Sequence, residues 1–76
     1  MTKQERNRKH EMLIKNIRIN MIKRNYDKRQ LAALLKISLA SLYNKFNNPE
    51  TFTYTDLQNL FRFLKFSDEE ILETVA

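Results

Sequence analysis

The residues best suited to chemistry in this chain are uncharged polar side chains on one short segment, LASLYNKFN at residues 39–47. In an α-helix, successive residues lie about 100° apart around the axis. If Leu42 points inward, Phe46 lies beside it, whereas Ala40 and Asn44 point almost directly outward. An outer face without Lys or Glu at its centre is more typical of base reading than of a solvated helix. The Asn44 amide can pair with N6 and N7 of an adenine in the major groove.

The neighbours of that outward pair carry the groups that contacts to duplex DNA require. Leu39 and Ala40 can pack against thymine methyl groups, and the hydroxyls of Ser41 and Tyr43 can reach a phosphate or a base edge. The alternative is a structural role, in which Tyr43 covers the edge of the core and Asn47 only ends the helix. The residues able to fix the sugar–phosphate backbone are Lys45, Asn47 and Asn48.

These residues belong to a longer stretch, residues 27–48, in which apolar residues form two short helical registers on either side of a break. Ala32 is small where a second helix must cross closely, and Ile37 is an apolar plug in the break. Asp27 and Ser38 can each N-cap the helix that follows. The stretch therefore predicts a helix-turn-helix, and its second helix is the one that would enter a DNA groove.

A long helix is predicted before this unit, beginning at residue 3. Its first two turns have no apolar face, so residues 1–11 are expected to form a mobile basic arm. Asn25 is expected to end the helix, because Asn tolerates the left-handed backbone nearly as readily as the glycine that this chain lacks. The stripe expected to pack on the core is Leu13, Ile14, Ile17, Met21 and Ile22.

Two more helices are predicted after the unit. Pro49 stops helix 3 and begins a loop at residues 49–51. A capping box at Thr53–Asp56 opens helix 4, which is expected to run to about Lys65, and another at Ser67–Glu70 opens helix 5. The sequence thus predicts an all-α, compact five-helix domain that occupies residues 1–76 as a single unit.

Positive charge is concentrated in the first part of the chain. The net charge is +5 and the pI is near 9.8. Residues 1–30 carry ten Lys or Arg against three acids, whereas residues 31–76 carry four against six. Clustered positive charge is expected of a nucleic-acid binder because each neutralised phosphate releases counterions, although ribosome-associated and membrane-surface proteins share it.

The composition argues against enzymes, metal sites and membrane spans. There is no Cys and the single His10 lies in the charged arm, so neither catalytic residues nor a metal site are expected. Without Gly, the phosphate-cradling loops of nucleotide-binding proteins cannot be built, and no cofactor or small-molecule substrate is expected. No apolar run approaches the roughly 20 residues that span a bilayer. We therefore expect a cytoplasmic protein.

Residues 28–48 and, more loosely, 56–72 resemble the Cro/C1-type (XRE-like) helix-turn-helix family of phage and bacterial transcriptional regulators. The resemblance implies a lambda-repressor-like domain that binds operator DNA, usually as a two-fold dimer. Lys36 departs from the pattern, since it stands where the family often has glycine. The matching residues are Leu31-Ala32, Ile37-Ser38, Leu42, Phe46-Asn47, Phe52-Thr53 and the SDEEIL ending at residues 67–72.

The family's usual DNA contacts lie at the start of helix 2 and on the start and outer face of helix 3. Lys28 occupies the first of these places, where a glutamine is common, and would bring a phosphate-seeking charge. Together with the residues chosen for their chemistry, the expected DNA-contact set is Lys28, Ser38, Leu39, Ala40, Ser41, Tyr43, Asn44, Lys45 and Asn47.

We therefore expect a sequence-specific regulator of transcription that binds double-stranded DNA as a homodimer and reads the major groove with helix 3. It would be Cro-like or a small phage or prophage repressor. The alternative is a protein-interaction module, an antirepressor or anti-activator built on the same scaffold. A polar outer face on helix 3 favours DNA and an apolar one favours a protein groove, and Leu39 and Ala40 leave both open.

Overall fold

A computed structural model describes the backbone of residues 3–75 and the side chains of residues 8–74. Within that range the chain is all-helical, as the sequence predicts, and no described helix is long and apolar enough to cross a membrane. The arm predicted at residues 1–11 lies largely outside the described side chains and stays a prediction. The elements are α1 (Lys3–Arg24), α2 (Lys28–Leu35), α3 (Leu39–Asn47), a 3₁₀ turn (Pro49–Thr51), α4 (Tyr54–Phe63) and α5 (Asp68–Val75).

The helices begin where the sequence places side-chain caps. Asp27 accepts a hydrogen bond from the Gln30 N–H at 2.8 Å, and the Gln30 side chain accepts one in return from the Asp27 N–H. Ser38 caps α3 by accepting from the Ser41 N–H at 3.0 Å. Each cap satisfies amide donors that have no partner within the helix. The boxes predicted at residues 53–56 and 67–70 are also formed.

Three helices end in the left-handed conformation without a glycine. Asn25, Lys36 and Lys65 have φ angles of 58°, 59° and 51°. After Lys36, the Ile37 N–H donates to the Ala32 carbonyl, which is the hydrogen bond of a Schellman cap. The prediction for Asn25 is confirmed. Helix 4, predicted to run to about Lys65, ends two residues earlier at Phe63, and is followed by Leu64 as its C-cap and the left-handed Lys65.

Replacing Lys36 by glycine is expected to stabilise the domain by about 0.5–1 kcal/mol. The left-handed backbone conformation costs a residue with a Cβ about 1–2 kcal/mol, a cost that glycine avoids. Part of the gain is offset because glycine loses more backbone entropy on folding. Lys36→Ala is the matched control, since it removes the same charge but keeps the Cβ. In urea unfolding the glycine variant should have a higher midpoint than the alanine variant. Equal midpoints would contradict a strained backbone at Lys36.

The connection between α3 and α4 is more ordered than the predicted loop. Residues 49–51 form one 3₁₀ turn, in which the Thr51 N–H donates to the Asn48 carbonyl at 2.9 Å. Pro49 is well placed to open this turn because it has no N–H to leave unpaired. Phe52 follows as a buried anchor, with its ring 6.4 Å from that of Phe46. The end of α3 is therefore fixed to the core.

The core lies between α1 and the other helices and consists of their buried side chains. On α1, the predicted residues Leu13, Ile17 and Met21 are buried, but Ile22 is 79% exposed. Ile22 lies about 100° further around the helix than Met21, which turns it towards solvent. The prediction for Ile22 was wrong. The fully buried large side chains are Ile17, Leu31, Leu42, Leu60, Leu64 and Asn20.

A buried polar contact that the sequence pattern did not reveal joins α1 to α5. The Asn20 amide is 1% exposed and donates both to the Asn16 carbonyl and to Glu70 Oε2, at 2.9 Å each. Arg24 donates to the Asn20 side-chain oxygen at 3.3 Å and to the Lys65 carbonyl at 3.4 Å. Because a buried amide is costly without partners, Asn20 fixes where α5 packs.

The Glu70 carboxylate makes the stability of this contact dependent on pH. Partial burial acts to raise its pKa, but hydrogen bonds from Ser67 and Asn20 and the charge of Lys23 outweigh it, so the pKa lies below its ordinary value of 4.5. A depressed pKa contributes stability that is present above pH 4.5 and is lost as the pH falls through the folded-state pKa. We expect thermal unfolding to show this loss.

Glu70→Gln should abolish that part of the pH dependence and lower stability at neutral pH by about 1 kcal/mol, because one amide oxygen cannot replace two carboxylate oxygens. Glu73→Gln on the same helix is the control, since Glu73 is exposed and its carboxylate makes no hydrogen bond to the described residues. An acid limb as steep in Glu70→Gln as in the parent would contradict this role.

Candidate nucleic-acid interface

The N-terminus of α3 is set by a pair of serines. Ser38 has extended backbone angles, φ −72° and ψ 159°, and its hydroxyl caps the Ser41 N–H. The Ser38 hydroxyl also lies 3.0 Å from the Ser41 hydroxyl, to which it donates. The side-chain hydroxyls of both serines therefore already make hydrogen bonds within the protein. The predicted contact residues Ser38 and Ser41 are exposed and are held together at the start of α3.

The faces of α3 agree with the rotation about Leu42. Leu42 is fully buried, whereas Ala40 and Asn44 on the opposite side are exposed. Tyr43 is 45% exposed and is not among the side chains packed on the core. The outer face thus carries no charge. The remaining predicted contact residues of α3 are Asn47, which is exposed, and Leu39 and Lys45, which are half-buried.

The Asn44 amide is oriented by a second asparagine one turn later. Asn48 Nδ2 donates to the Asn44 side-chain oxygen at 3.1 Å and to its carbonyl at 3.2 Å. An amide oxygen has two lone pairs, so the Asn44 oxygen can still accept a second hydrogen bond, and its NH₂ group has two donors. The pair therefore fixes the Asn44 side chain and leaves its amide with an acceptor position beside a donor.

Lys28 is held over the aromatic rings of α3. Its ammonium lies 4.9 Å from the centre of the Tyr43 ring and 5.7 Å from that of Phe46. Cation–π attraction of this kind reduces the freedom of a long side chain. The structure thus brings the start of α2 and the outer side of α3 together, as the predicted contact set requires. The surface where the start of α2 meets α3 therefore carries the positive charge of Lys28.

Arg29 belongs with these residues, although sequence reasoning did not select it. It is exposed and lines a shallow depression of about 540 Å³ with Lys28, Tyr43 and Leu39. Its position in the first turn of α2, directly after Lys28, was the signal that could have identified it. A second cation therefore lies at the same edge of α3.

Lys45 occupies a different place from the one expected of a backbone contact. Its ammonium forms an ion pair with Asp56 Oδ2 at 3.0 Å and donates to the Thr51 carbonyl at 3.0 Å. It also lies 5.7 Å from the centre of the Phe52 ring. These contacts fix α3 to the start of α4. The sequence does not reveal this pairing, because Asp56 also fits the capping box with Thr53.

The Asp56 carboxylate reflects both partners. Its partial burial acts to raise its pKa, but hydrogen bonds from Thr53 and the neighbouring Lys45 ammonium outweigh burial, and the pKa is lowered. Asp56 is therefore ionised at neutral pH and holds Lys45 by charge as well as by geometry. Among the described residues no group of three or more His, Cys, Asp or Glu could hold a metal ion.

Two short helices joined through a left-handed turn, the second with a polar outer face, define a helix-turn-helix DNA-binding domain. A family model, that of the Cro/C1-type HTH DNA-binding domain, matches residues 16–76. The chain belongs to this family. No curated protein and no solved structure matched the chain. The matched range includes every predicted contact residue. Domains of this family bind DNA, so double-stranded DNA is the class of partner.

Proposed function

We propose that this protein is a sequence-specific regulator of transcription that places α3 in the major groove of an operator. The observation that carries the proposal is the outer face of α3, which is exposed and uncharged and has Asn44 held by Asn48 at its centre. A face that served only solubility would carry Lys and Glu. An amide held with donor and acceptor side by side suits one base pair above the others.

The residues around Asn44 divide the work of binding. Ala40 and the exposed part of Leu39 pack against thymine methyl groups, and Ser41 and Tyr43 offer hydroxyls to a base edge or phosphate. Lys28 and Arg29 bind phosphate at the α2 edge of the groove. The remaining contacts to the backbone come from Ser38 and Asn47, whereas Lys45 positions α3 through Asp56.

The proposal includes a homodimer, because two copies of α3 roughly 34 Å apart reach successive major grooves on one side of the duplex. A protein of this kind acts as a Cro-like or small phage or prophage repressor in the bacterial cytoplasm. Sedimentation with and without operator DNA tests the dimer. A monomer in both samples would overturn this part and leave base reading by a single α3 in place.

Selection of bound sequences from a random duplex pool tests the function directly. The expected outcome is a short consensus that contains an adenine and occurs as two inverted half-sites one helical turn apart. Recovery of sequences without a consensus would remove base reading. Absence of DNA binding even at low salt would favour the alternative, a protein-interaction module that uses the same helices.

A further inference from the structure

The side of α1 next to α3 contains two cations that the proposed contact set does not include. Lys15 and Arg18 line a groove of about 490 Å³ together with Phe46 and Asn47 from the end of α3. Both cations are exposed. The groove joins the surface of α1 to the outer face of α3, and its remaining lining residues are His10, Glu11, Ile14, Pro49 and Glu50.

The two depressions show how α1 lies relative to α3. Met21 shares a depression with Leu39 and Tyr43 near the start of α3, whereas residues 10–18 share a groove with residues 46–50 at its end. The earlier part of α1 therefore lies nearer the end of α3, and its later part lies nearer the start. Lys15, Arg18, Lys28 and Arg29 consequently lie along the same flank of α3.

Positive charge on the two flanks of α3 is unequal. On the α4 flank, Lys45 is neutralised by Asp56, in the only side-chain ion pair found among residues 8–74. On the α1 flank, neither Lys15 nor Arg18 makes an ion pair within those residues. A duplex whose major groove receives α3 presents one phosphate strand to each flank. The strand on the α1 side meets the unneutralised cations.

We propose that Lys15 and Arg18 bind backbone phosphates of one DNA strand, beside the C-terminal half of α3. The inference rests on the proposed function and adds α1 to the interface. A guanidinium can bind a phosphate through two parallel N–H groups, and an ammonium binds it as a point charge. Phe46 lines this groove and also lies 5.7 Å from the Lys28 ammonium, so the new contact adjoins the phosphate site proposed for Lys28 and Arg29.

Two acids in the same groove limit this contact. Glu11 lies on α1 one turn before Lys15, and Glu50 follows α3. Glu50 and His10 also line the neighbouring groove towards α4 and α5, so Glu50 lies at the end away from Arg18. Glu11 is the closer obstacle to phosphate. Removing its charge should therefore strengthen DNA binding, which is the opposite of the effect expected for Lys15 and Arg18.

The test measures the affinity of the full chain for a selected operator and for a random duplex as salt is raised. The double variant Lys15→Gln/Arg18→Gln should bind both duplexes more weakly, and the slope of log K against log salt should fall in magnitude by about 1.8, or 0.9 per phosphate. Between about 50 and 200 mM salt, the parent should lose about tenfold more affinity than the variant. The preference for operator over random DNA should remain.

The matched control is Lys23→Gln/Lys65→Gln, which removes the same charge elsewhere. Lys23 lies on the α5 side of α1, near Glu70, and Lys65 follows α4. For this control, the slope of log K against log salt should equal that of the parent. Glu11→Gln should bind both duplexes more tightly at low salt. Circular dichroism melting of every variant verifies that these exposed substitutions leave the fold intact.

Each outcome decides the inference. Equal slopes for the α1 double variant and its control would overturn it, as would a Glu11→Gln variant that binds no more tightly than the parent. If the parent itself showed no salt-dependent DNA binding, the proposed function would fail and the α1 contact with it. Retained base preference in the parent, together with equal slopes, would remove only the α1 contact.

Discussion

Replacing Asn44 by alanine is expected to weaken binding to the selected operator by about 1–3 kcal/mol and to relax preference at one base pair. The amide supplies an acceptor and a donor side by side, and Asn48 holds its oxygen at 3.1 Å. Alanine supplies neither group. Affinity for a random duplex should change little, because Asn44 carries no charge and its contribution is to base discrimination. Fluorescence anisotropy on both duplexes measures the two affinities.

Asn59→Ala is the matched control for that substitution, because it removes the same amide from α4, outside α3. Its operator affinity should remain that of the parent. Asn48→Ala should give a smaller loss than Asn44→Ala, since it leaves the reading amide in place but unoriented. Equal weakening of operator and random DNA by Asn44→Ala would show that Asn44 does not read a base.

Truncating Leu42 to alanine is expected to lower the free energy of unfolding by about 2–5 kcal/mol. Leu42 is fully buried and is the inward residue of α3, so its loss leaves a cavity beneath this helix. Small domains have only about 5–15 kcal/mol of stability, so the variant would lose a large share of it. Urea unfolding measures the loss.

Leu72→Ala provides the control, because Leu72 is 61% exposed and the same truncation there should cost less than about 0.5 kcal/mol. The folded fraction of Leu42→Ala should keep the parent's base preference, which separates a loss of fold from a loss of reading. Similar costs at the two positions would contradict the placement of Leu42 in the core.

The features that sequence predicted well are those fixed by neighbouring residues. Asp27 and Ser38 cap their helices because a short acceptor side chain meets amide donors two or three residues later. The faces of α3 follow from the helical repeat once Leu42 is placed inward. Asn25 ends α1 in the left-handed conformation, which the short polar side chain of Asn tolerates better than most.

The features that sequence did not predict depend on distant partners. Asn20 is buried because Glu70, fifty residues later, accepts its hydrogen bond, and no apolar pattern indicates a buried amide. Lys45 has the charge of a phosphate contact but lies beside Asp56 in the fold. The position of α1 along α3 is likewise a matter of packing, and it alone brings Arg18 close to the outer face. Sequence therefore predicted the position and faces of α3 better than the packing around it.

The central claim is that Asn44 reads an adenine in the major groove, and substituting 7-deazaadenine at the selected position tests it most directly. This base lacks only the N7 acceptor. The parent should lose about 1 kcal/mol of binding, the value of one hydrogen bond, whereas Asn44→Ala should lose nothing further. An equal loss in both proteins, or no loss in the parent at any adenine of the operator, would contradict the claim.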